Sequence, residues 1–463
     1  MRCRGLGYWA IWMAMAAILL VFAPSPVLAQ DDDSDDDGGG GSGAGVIIDA
    51  NGVLRKRVFV DQSGQLMRDR IASAKATLDP KLSSYSKLRK VSLNRLEQAI
   101  IAREGVLTDE MRYLAGLLRV QYVFFYPDSK DVVVAGPAEG WVPDPAGRVV
   151  GITSGRPVIQ LQDLAVALRM FPPDGNETPL IGCSIDPTRE GLASMQHFLQ
   201  TNRPDFRNPR VFAEEMRNRL GLQIVTIQGV PPKSHFAQVL VEADYRMKLI
   251  GIGLERPPVK MVSYVEKARL GDVARNAMQR WFFVPDYQCV RESEDGLAME
   301  LVGDGVKLIG EDEMVTSSGE RKQAAGRGNR ASHAFVTGFT KKYPELAERS
   351  PVYAELRNLI DLAVAAAYIQ KQDLYARADW DMPFLGSEKA FPVEVYDVPK
   401  TVESAVNTIG KGNTIGFPIG GGVEIRATEA LHPENLLTDK QEKVAKLHKE
   451  LKPDLAEGQW WWD

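Results

Sequence analysis

Hydrophobic and polar residues follow two periods along this chain, one typical of helices and one typical of strands. Leu93, Leu96 and Ile100 repeat at spacings of three and four, which predicts an amphipathic helix. The apolar runs 121–126 and 132–135 enclose the turn-forming sequence Pro-Asp-Ser-Lys, which predicts a β-hairpin. Helices and strands therefore follow one another closely in this part of the chain.

Residues 237–249 fit both periods. Every second residue is apolar, as on a half-buried strand, but Ala243 and Met247 also lie one helical turn apart. Ser234 is a suitable N-cap and Gly251 a suitable stop, so a helix is favoured over a strand. The choice decides which surface carries the charged residues of this segment.

The order of the elements predicts an α+β protein of several domains. A central α/β-like part alternates strands with helices, an antiparallel β-meander covers 281–315, and the C-terminal part is helical. Residues 316–330 are polar and rich in Gly and Ala, which is typical of a linker. The predicted folded regions are an N-terminal α+β region, a central domain that includes the meander, and a helical region with short strands: 46–135, 149–315 and 331–463.

The N-terminal segment has the three parts of a secretory signal. Arg2 and Arg4 precede an uncharged apolar run, and residues 27–29 place small side chains at a cleavage site. Residues 1–29 are therefore predicted to be a signal peptide, cleaved after Ala29, that exports the protein to the periplasm, the cell envelope or the medium. The apolar run is shorter than the roughly 20 residues that cross a bilayer, and an uncleaved anchor is the alternative.

Charge excludes one large class of function. The 463 residues contain 56 Lys and Arg against 61 Asp and Glu, a net charge of −5. Because no basic surplus exists to neutralise phosphates, nucleic-acid binding is not expected. Six aspartates run into a glycine-rich stretch within residues 30–45, and this composition predicts a flexible acidic tether.

Two cysteines, Cys183 and Cys289, remain once the leader with Cys3 is removed. Outside the cytosol thiols tend to be oxidised, so this even pair is a candidate disulfide. The alternative is two separate buried thiols that pack as small hydrophobic side chains.

Common catalytic signatures are absent from the sequence. It contains no G-x-S-x-G elbow, no H-E-x-x-H pair and no phosphate-binding G-x-x-x-x-G-K-[ST] loop, and its five histidines are widely separated. No metal site and no cofactor are therefore predicted. The remaining enzyme hypothesis places Cys183 as a nucleophile at a strand-to-helix turn, with His197 or His235 as its base.

Two sets of residues are candidates for binding. Trp141 with Glu242, Asp244 and Arg246 could form a polar recognition patch beside an aromatic ring. The alternative is favoured, in which Glu242 and Arg246 form an exposed ion pair one helical turn apart. The second set ends the sequence: Trp460, Trp461 and Trp462. These indoles could contact a partner or a membrane surface, but docking onto the chain's own surface is favoured.

Three literal strings resemble a known family. They are the segments 182–188, 242–248 and 281–285, with the sequences GCSIDPT, EADYRMK and WFFVP. They are similar to an exported planctomycete family classed as a domain of unknown function, over most of 90–380. The resemblance implies a bacterial source and a cell-envelope setting, and it implies no activity and no catalytic residue.

The sequence therefore favours a non-catalytic, exported envelope protein with a binding or structural role. An envelope protein or a glycan is the expected type of partner. A hydrolase with dispersed active-site residues around Cys183 is one alternative. A glycan-binding module is another, and it would require Trp141 or Trp281 to be exposed beside carboxylates.

Overall fold

The computed structural model describes residues 42–49, 52–61, 63–202, 209–268, 277–315, 321–323, 329–407 and 419–463. The predicted signal peptide, its cleavage site and most of the predicted tether lie outside these residues. The end of the tether prediction is wrong, because Ser42 to Gly45 belong to a strand.

Strands form where β-branched and aromatic residues concentrate, and they are numbered in chain order. In the described residues they are β1 (Ser42–Ile48), β2 (Val53–Val60), β3 (Ser86–Ser92), β4 (Tyr122–Tyr126), β5 (Asp131–Ala138), β6 (Trp141–Pro143), β7 (Val149–Gly151), β8 (Ile181–Pro187), β9 (Leu222–Gln228), β10 (Ala277–Pro285), β11 (Val290–Glu292), β12 (Ala298–Leu301), β13 (Val306–Val315), β14 (Arg321–Gln323), β15 (Thr401–Glu403), β16 (Ile419–Ile425), β17 (Leu437–Thr438) and β18 (Trp461–Trp462).

Helices form where apolar residues repeat at helical spacing behind a capping residue. In the described residues they are α1 (Gln65–Thr77), α2 (Pro80–Ser83), α3 (Leu93–Ala102), α4 (Asp109–Arg112), α5 (Leu161–Met170), α6 (Arg189–Thr201), α7 (Pro209–Leu220), α8 (His235–Gly251), α9 (Tyr264–Lys267), α10 (Arg330–Arg349), α11 (Pro351–Lys371), α12 (Leu374–Arg377) and α13 (Lys443–Glu450). The predicted helix at Leu93 and the predicted β4–β5 hairpin are both confirmed.

Two mixed sheets organise the described residues. The larger has the order β1-β2-β15-β9-β8-β16-β10-β13-β14, and the smaller has the order β17-β11-β12-β4-β5-β3-β18. A two-stranded ribbon, β6-β7, stands apart from both. The prediction of an α+β class is confirmed.

Strands distant in sequence are neighbours in both sheets. In the larger sheet β15 lies between β2 and β9, and β16 lies between β8 and β10. The regions predicted as 46–135, 149–315 and 331–463 therefore share sheets instead of following one another as sequential domains, and 41–463 forms one compact unit. Of the predicted linker, Arg321 to Gln323 form β14 and 316–320 and 324–328 lie outside the described residues.

The stretch predicted as a meander, 281–315, contains four strands that divide between the two sheets. β10 pairs with β13 in the larger sheet, while β11 pairs with β12 in the smaller one. The chain therefore leaves one sheet, makes a hairpin in the other and returns. Antiparallel pairing follows from short turns, but turn residues do not specify which sheet a strand joins.

Helix α8 settles the ambiguous segment 237–249 in favour of a helix. The Ser234 side chain accepts a hydrogen bond from the backbone N–H of Ala237, and the helix ends at Gly251. α8 packs on β8 and β16 of the larger sheet and on α5 and α11. Its residues are buried almost all round, which explains why one apolar stripe could not be recognised in the sequence.

Helix α11 forms the centre of the hydrophobic core. Residues 352–369 are all buried, and Asp361 among them pairs with Arg119, whose Nε lies 2.6 Å from Oδ2. None of the helices in the described residues combines the length and the apolar character needed to span a membrane.

Candidate functional site

The first turn of α8 supplies a histidine to a group of polar side chains, here called the polar cluster: His235, Asp163, Gln160, Arg148, Glu242, Glu355 and Tyr396. His235 is the first residue of the helix and is 8% exposed. Gln238, Val239 and Glu242 follow at spacings of three and four, so they lie on the same face of the helix. This face lines a pocket at the N-terminal end of α8.

A carboxylate on another helix orients the imidazole. His235 Nδ1 lies 2.7 Å from Oδ2 of Asp163, which is in the first turn of α5. A carboxylate accepts hydrogen bonds, so this contact places a proton on Nδ1. On the other side of the ring, Nε2 lies 3.3 Å from the amide nitrogen of Gln160 and accepts from it in the neutral tautomer.

An arginine joins two further carboxylates beside the histidine. Arg148 lies directly before β7, and its Nε donates to Oε2 of Glu355 at 3.0 Å. Its Nη2 donates to Glu242 on α8. The second oxygen of Glu242 lies 3.4 Å from Arg246, whose guanidinium also binds Glu255 at 2.8 Å. Glu242, Glu355, Arg246 and Glu255 are buried and the Arg148 side chain is 13% exposed, and buried charges persist in proteins when they are paired in this way.

The cluster raises the pKa of His235. Burial by itself would lower the pKa of the imidazole, but the charge and hydrogen bond of Asp163 and the charge of Glu355 outweigh it. The result is a pKa above the usual histidine value. The carboxylates Glu355 and Glu242 likewise raise the pKa of Arg148 against its burial.

These groups line a small cavity, here called the polar pocket, with a volume of about 210 Å³. Its wall combines four charged or ionisable groups of the cluster with two glutamines and two aromatic rings: Arg148, Glu242, Glu355, His235, Gln160, Gln238, Phe59 and Tyr396. The pocket wall is therefore both polar and aromatic.

A larger cavity, here called the aromatic cleft, adjoins the polar pocket and has a volume of about 510 Å³. The two cavities share Gly147, Gln160 and Tyr396. The cleft is lined by four aromatic side chains, two glutamine amides and an exposed ion pair: Tyr113, Phe384, Phe391, Tyr396, Gln160, Gln162, Arg112 and Glu394.

An extended segment, 386–400, carries one wall of the cleft. The Gln162 amide donates to the Tyr396 hydroxyl at 3.0 Å, and its carbonyl accepts from the Glu394 backbone N–H at 3.2 Å. Arg169 on α5 donates to the backbone carbonyls of Leu385, Ser387 and Phe391. Helix α5 therefore positions this wall through side-chain bonds to a segment without regular secondary structure.

A buried carboxylate holds the adjoining loop. Glu97 on α3 is 2% exposed and accepts from the Trp380 indole N–H and from the backbone N–H groups of Phe384 and Leu385. Phe384 lies against Gly105, which also lines the cleft, and a Cβ added to Gly105 would be 3.2 Å from the Phe384 ring.

The structure does not bring the predicted catalytic residues together. His197 lies exposed on α6, while His235 is bound to Asp163 and Gln160. Cys183 lies in β8 and hydrogen-bonds to neither histidine. Burial, and then the charge of Asp244, raise the pKa of its thiol well above the usual value. Neither burial nor a raised pKa suits a nucleophilic thiol.

The candidate disulfide is not formed. Cys183 and Cys289 are both free and buried. Cys183 pairs with Val423 inside the larger sheet, whereas Cys289 accepts a backbone bond from Val302 beside β11 of the smaller sheet. The two cysteines are apart because the segments that carry them belong to different sheets. Their spacing in the sequence gave no information about which sheet each segment joins. The alternative of two separate buried thiols describes the structure.

The residues of the predicted recognition patch do not form one exposed surface. Glu242 and Arg246 are an ion pair one helical turn apart as expected, but they are buried, so the prediction of an exposed pair is wrong. Asp244 is fully buried and binds Lys248 at 2.7 Å, and burial raises its pKa to about 6. Trp141 and Trp281 are both buried as well, so the glycan-binding site predicted at an exposed Trp141 or Trp281 does not form.

The terminal tryptophans dock onto the chain itself. Trp461 and Trp462 form β18, which pairs with β3, and Trp460 is 5% exposed. Asp463 binds the fully buried Arg89 through two hydrogen bonds of 2.8 and 2.9 Å. The favoured alternative from the sequence is the one that the structure adopts.

Sequence reasoning missed most of the polar cluster. Asp163, Arg148, Glu355 and Tyr396 carried no motif, because they come from separate elements and act only once assembled. The one local signal was the acidic residue Asp163 in the first turn of a predicted helix. Among the described residues, no group of three or more His, Cys, Asp or Glu side chains is placed to hold a metal ion.

Comparisons with known proteins address part of the chain. Neither the curated proteins nor the solved structures compared with the sequence give a match. One family does match, over the stretch that runs from β8 to the first residue of α9 and includes His235 and Glu242. Residues 183–264 therefore contain a domain of the family described as Protein of unknown function (DUF1598).

Proposed function

We propose that this protein is exported to the cell envelope and binds a ligand of the saccharide class in the aromatic cleft. The observation that carries the proposal is the composition of the cleft: four aromatic side chains beside two glutamine amides and the Arg112–Glu394 ion pair. The volume of about 510 Å³ lies in the range of small-molecule sites.

The chemistry of a sugar explains why these residue types belong together. One face of a pyranose ring is made of C–H groups and packs on an aromatic ring, while its edge carries hydroxyls that need partners. The rings of Tyr113 and Tyr396 offer apolar surface. Beyond their bonds within the chain, Gln160 keeps one amide N–H and the carbonyls of Gln160 and Gln162 each keep a second lone pair. A flat apolar ligand would bury this remaining capacity unused, which costs binding free energy.

Calorimetric titration of the purified full chain with the tetrasaccharide of N-acetylglucosamine tests the binding proposal. Tyr396→Ala removes a ring shared by both cavities and should weaken binding by about tenfold, equivalent to about 1.4 kcal/mol. Tyr85→Ala is the matched control, because Tyr85 is 57% exposed and lines neither cavity.

Two results would contradict the proposal. One is the absence of heat with this tetrasaccharide and with a glucose tetrasaccharide at millimolar concentrations. The other is equal loss of affinity in Tyr396→Ala and Tyr85→Ala. Thermal unfolding of each variant shows whether a loss of affinity reflects a loss of folding.

Export is supported by the N-terminal pattern of charge, apolar run and small residues at 27–29. Fractionation of the native cells followed by mass measurement of the mature chain tests it. We expect a chain that begins at Gln30 outside the cytosol. A cytosolic chain that retains Met1 would overturn this part of the proposal.

A hydrolase is the second candidate, and the His235–Asp163 pair favours it. An imidazole whose Nδ1 proton is held by a carboxylate can accept a proton at Nε2. Prolonged incubation with the tetrasaccharide and mass analysis of the sugar separates the candidates. Shorter products that disappear in His235→Gln would identify a hydrolase, and an intact sugar would identify a binding protein.

A further inference from the structure

Glu355 presents a carboxylate oxygen that lacks a hydrogen bond in the described part of the chain. Its Oε2 accepts from Arg148, but the nearest ionisable partner of Oε1 is His235 Nε2 at 4.0 Å, beyond hydrogen-bonding distance. Glu355 is 7% exposed and lines the polar pocket, so a ligand in the pocket can reach this oxygen.

Glu355 has fewer cationic partners than its neighbour Glu242. Arg148 is shared between these two carboxylates, and Glu242 also pairs with Arg246 at 3.4 Å, so Arg148 is the only Lys or Arg of the described residues within ion-pair distance of Glu355. The Asp163–His235 pair is neutral when the imidazole is protonated and negative when it is not. A cation in the pocket would therefore be stabilised at Glu355.

The neighbouring cations are already engaged. Arg246 binds both Glu255 and Glu242 in buried pairs, and Lys56 reaches Glu255 at 3.4 Å. Lys56 is 32% exposed, so solvent screens its charge. Neither cation lies within ion-pair distance of Glu355 in the described residues.

We propose that the polar pocket is a subsite for a protonated primary amine, which binds Glu355 and takes the place of the proton on His235. An ammonium group donates three hydrogen bonds, which suits the Glu355 oxygen, and a bond to the unprotonated Nε2 of His235 would replace the one that the Gln160 amide donates there. The rings of Phe59 and Tyr396 line the same pocket and favour a cation over their faces. This inference rests on the proposed function, since the amine would belong to the ligand that lies in the aromatic cleft.

Protonation of His235 controls this subsite. The charged and titratable groups that face the imidazole come from α5, α11, the turn before β7, the extended segment and α8 itself: Asp163, Glu355, Arg148, Tyr396 and Glu242. The two carboxylates nearest to the ring raise the pKa of His235. An imidazolium and an ammonium would compete for Glu355, so the affinity for an amine rises as pH rises through this pKa.

The first test needs no sugar. The full chain is labelled with ¹⁵N in its five histidines, and the His235 signals are assigned from their loss in His235→Gln. Ethylammonium chloride should shift these signals and move the imidazole towards its neutral form, while sodium chloride and N-ethylacetamide at equal concentration should not. Glu355→Gln should weaken the ethylammonium effect about tenfold, whereas Glu345→Gln, an exposed carboxylate on α10, should leave it unchanged.

The second test uses a matched pair of ligands: an aminoethyl glycoside of the N-acetylglucosamine disaccharide and the same glycoside with its amine acetylated. Aliphatic amines titrate near pH 10, so the amine stays charged between pH 6 and 8. We expect the free amine to bind about tenfold tighter at pH 8 than at pH 6, and the acetylated ligand to bind equally at both.

The outcomes separate this inference from the proposed function. If both glycosides bind alike and ethylammonium does not affect His235, the amine subsite is wrong and saccharide binding stands. If neither glycoside binds but ethylammonium shifts His235, saccharide binding is wrong and the amine subsite stands. Should Glu355→Gln fail to fold, the pH dependence of the unmodified protein still decides, since a flat profile overturns the inference.

Discussion

His235 owes its protonation state to side chains from two other helices. Asp163 on α5 binds its Nδ1, and Glu355 on α11 lies 4.0 Å from its Nε2. A single helix would leave this residue exposed near the usual histidine pKa. Packing α5 and α11 against α8 buries the imidazole between carboxylates and raises its pKa above the unfolded value.

The raised pKa of His235 makes the free energy of unfolding depend on pH. A histidine whose pKa is higher in the folded state stabilises the protein fully below its unfolded pKa, and this contribution is lost as pH rises through the folded pKa. We therefore expect the unmodified protein to lose more stability between pH 6 and 8 than His235→Gln does. Urea unfolding at each pH measures the difference, and His333→Gln, an exposed histidine on α10, should behave like the unmodified protein.

The two buried thiols should be inert in the native protein. Cys183 and Cys289 are 5% and 2% exposed, and burial raises the pKa of Cys289 to about 12. Iodoacetamide at pH 8 should leave both unmodified until denaturant is added, because neither forms the reactive thiolate. Peptide mapping by mass spectrometry measures each site. Modification of Cys183 under native conditions, or a disulfide-linked peptide, would contradict this expectation.

At the scale of elements, one buried carboxylate connects α3 to the wall of the aromatic cleft. Glu97 accepts three hydrogen bonds from residues 380–385. Glu97→Gln replaces one acceptor oxygen by an N–H₂ group that cannot accept, and it removes the charge. We expect a loss of about 1.5–3 kcal/mol in the free energy of unfolding, measured by urea denaturation. Glu388→Gln, in the exposed part of the adjoining segment, is the control and should change it by less than about 0.5 kcal/mol.

Strand β16 requires glycine at position 422, where strand β8 approaches its backbone closely. A Cβ on Gly422 would lie 1.9 Å from the backbone carbonyl of Cys183 in β8. Gly422→Ala should therefore lower the free energy of unfolding by about 3 kcal/mol, which is the upper end of the range for adding atoms to a packed core. The hydrogen bonds between the paired strands prevent the backbone from moving away from the added methyl group. Gly338→Ala in α10 meets no atom within 4 Å and should stabilise the protein by about 0.5–1 kcal/mol. Thermal unfolding of both variants checks the contrast, and similar effects would contradict it.

At the scale of the whole molecule, the last residues close the smaller sheet. Asp463 binds the fully buried guanidinium of Arg89, which also packs over the Trp461 ring. Asp463→Asn removes the negative charge that compensates Arg89 and should lower the free energy of unfolding by about 1–2 kcal/mol. This loss is smaller than for a fully buried ion pair, because Asp463 is 42% exposed and solvent screens its charge. Denaturation curves measure the cost, and Asp454→Asn is the control in the same tail. An equal effect of both variants would show that the ion pair does not hold the tail.

The sequence predicted elements well where the signal was local. The cap at Ser234, the stop at Gly251 and the apolar runs on either side of the turn at Pro127 all concern residues a few positions apart, and the corresponding helix and hairpin form. The predicted meander, the sequential regions and the disulfide all required knowledge of which sheet a strand joins. Sheet partners such as β8 and β16 are more than 200 residues apart, and no short-range pattern encodes that pairing.

Only some residues of the candidate site could be recognised from the sequence. Glu242 and His235 were singled out as separate candidates, since charged residues in an apolar run and scarce histidines attract notice in a sequence. Gln160, Arg148, Glu355 and Tyr396 did not, because each is an ordinary surface-type residue in its own segment. Their importance comes from burial, which removes solvent screening and makes short contacts between charges strong.

By itself the sequence determined the α+β class, the helix that begins at His235 and the absence of the common catalytic motifs. These follow from periodicity, capping and residue type, which act within a few residues. Only the tertiary structure decided that His235, Asp163, Arg148 and Glu355 meet at one pocket, and that the two thiols stay apart. The physical reason is that burial and charge pairing depend on the packing of distant segments, which chain order does not specify.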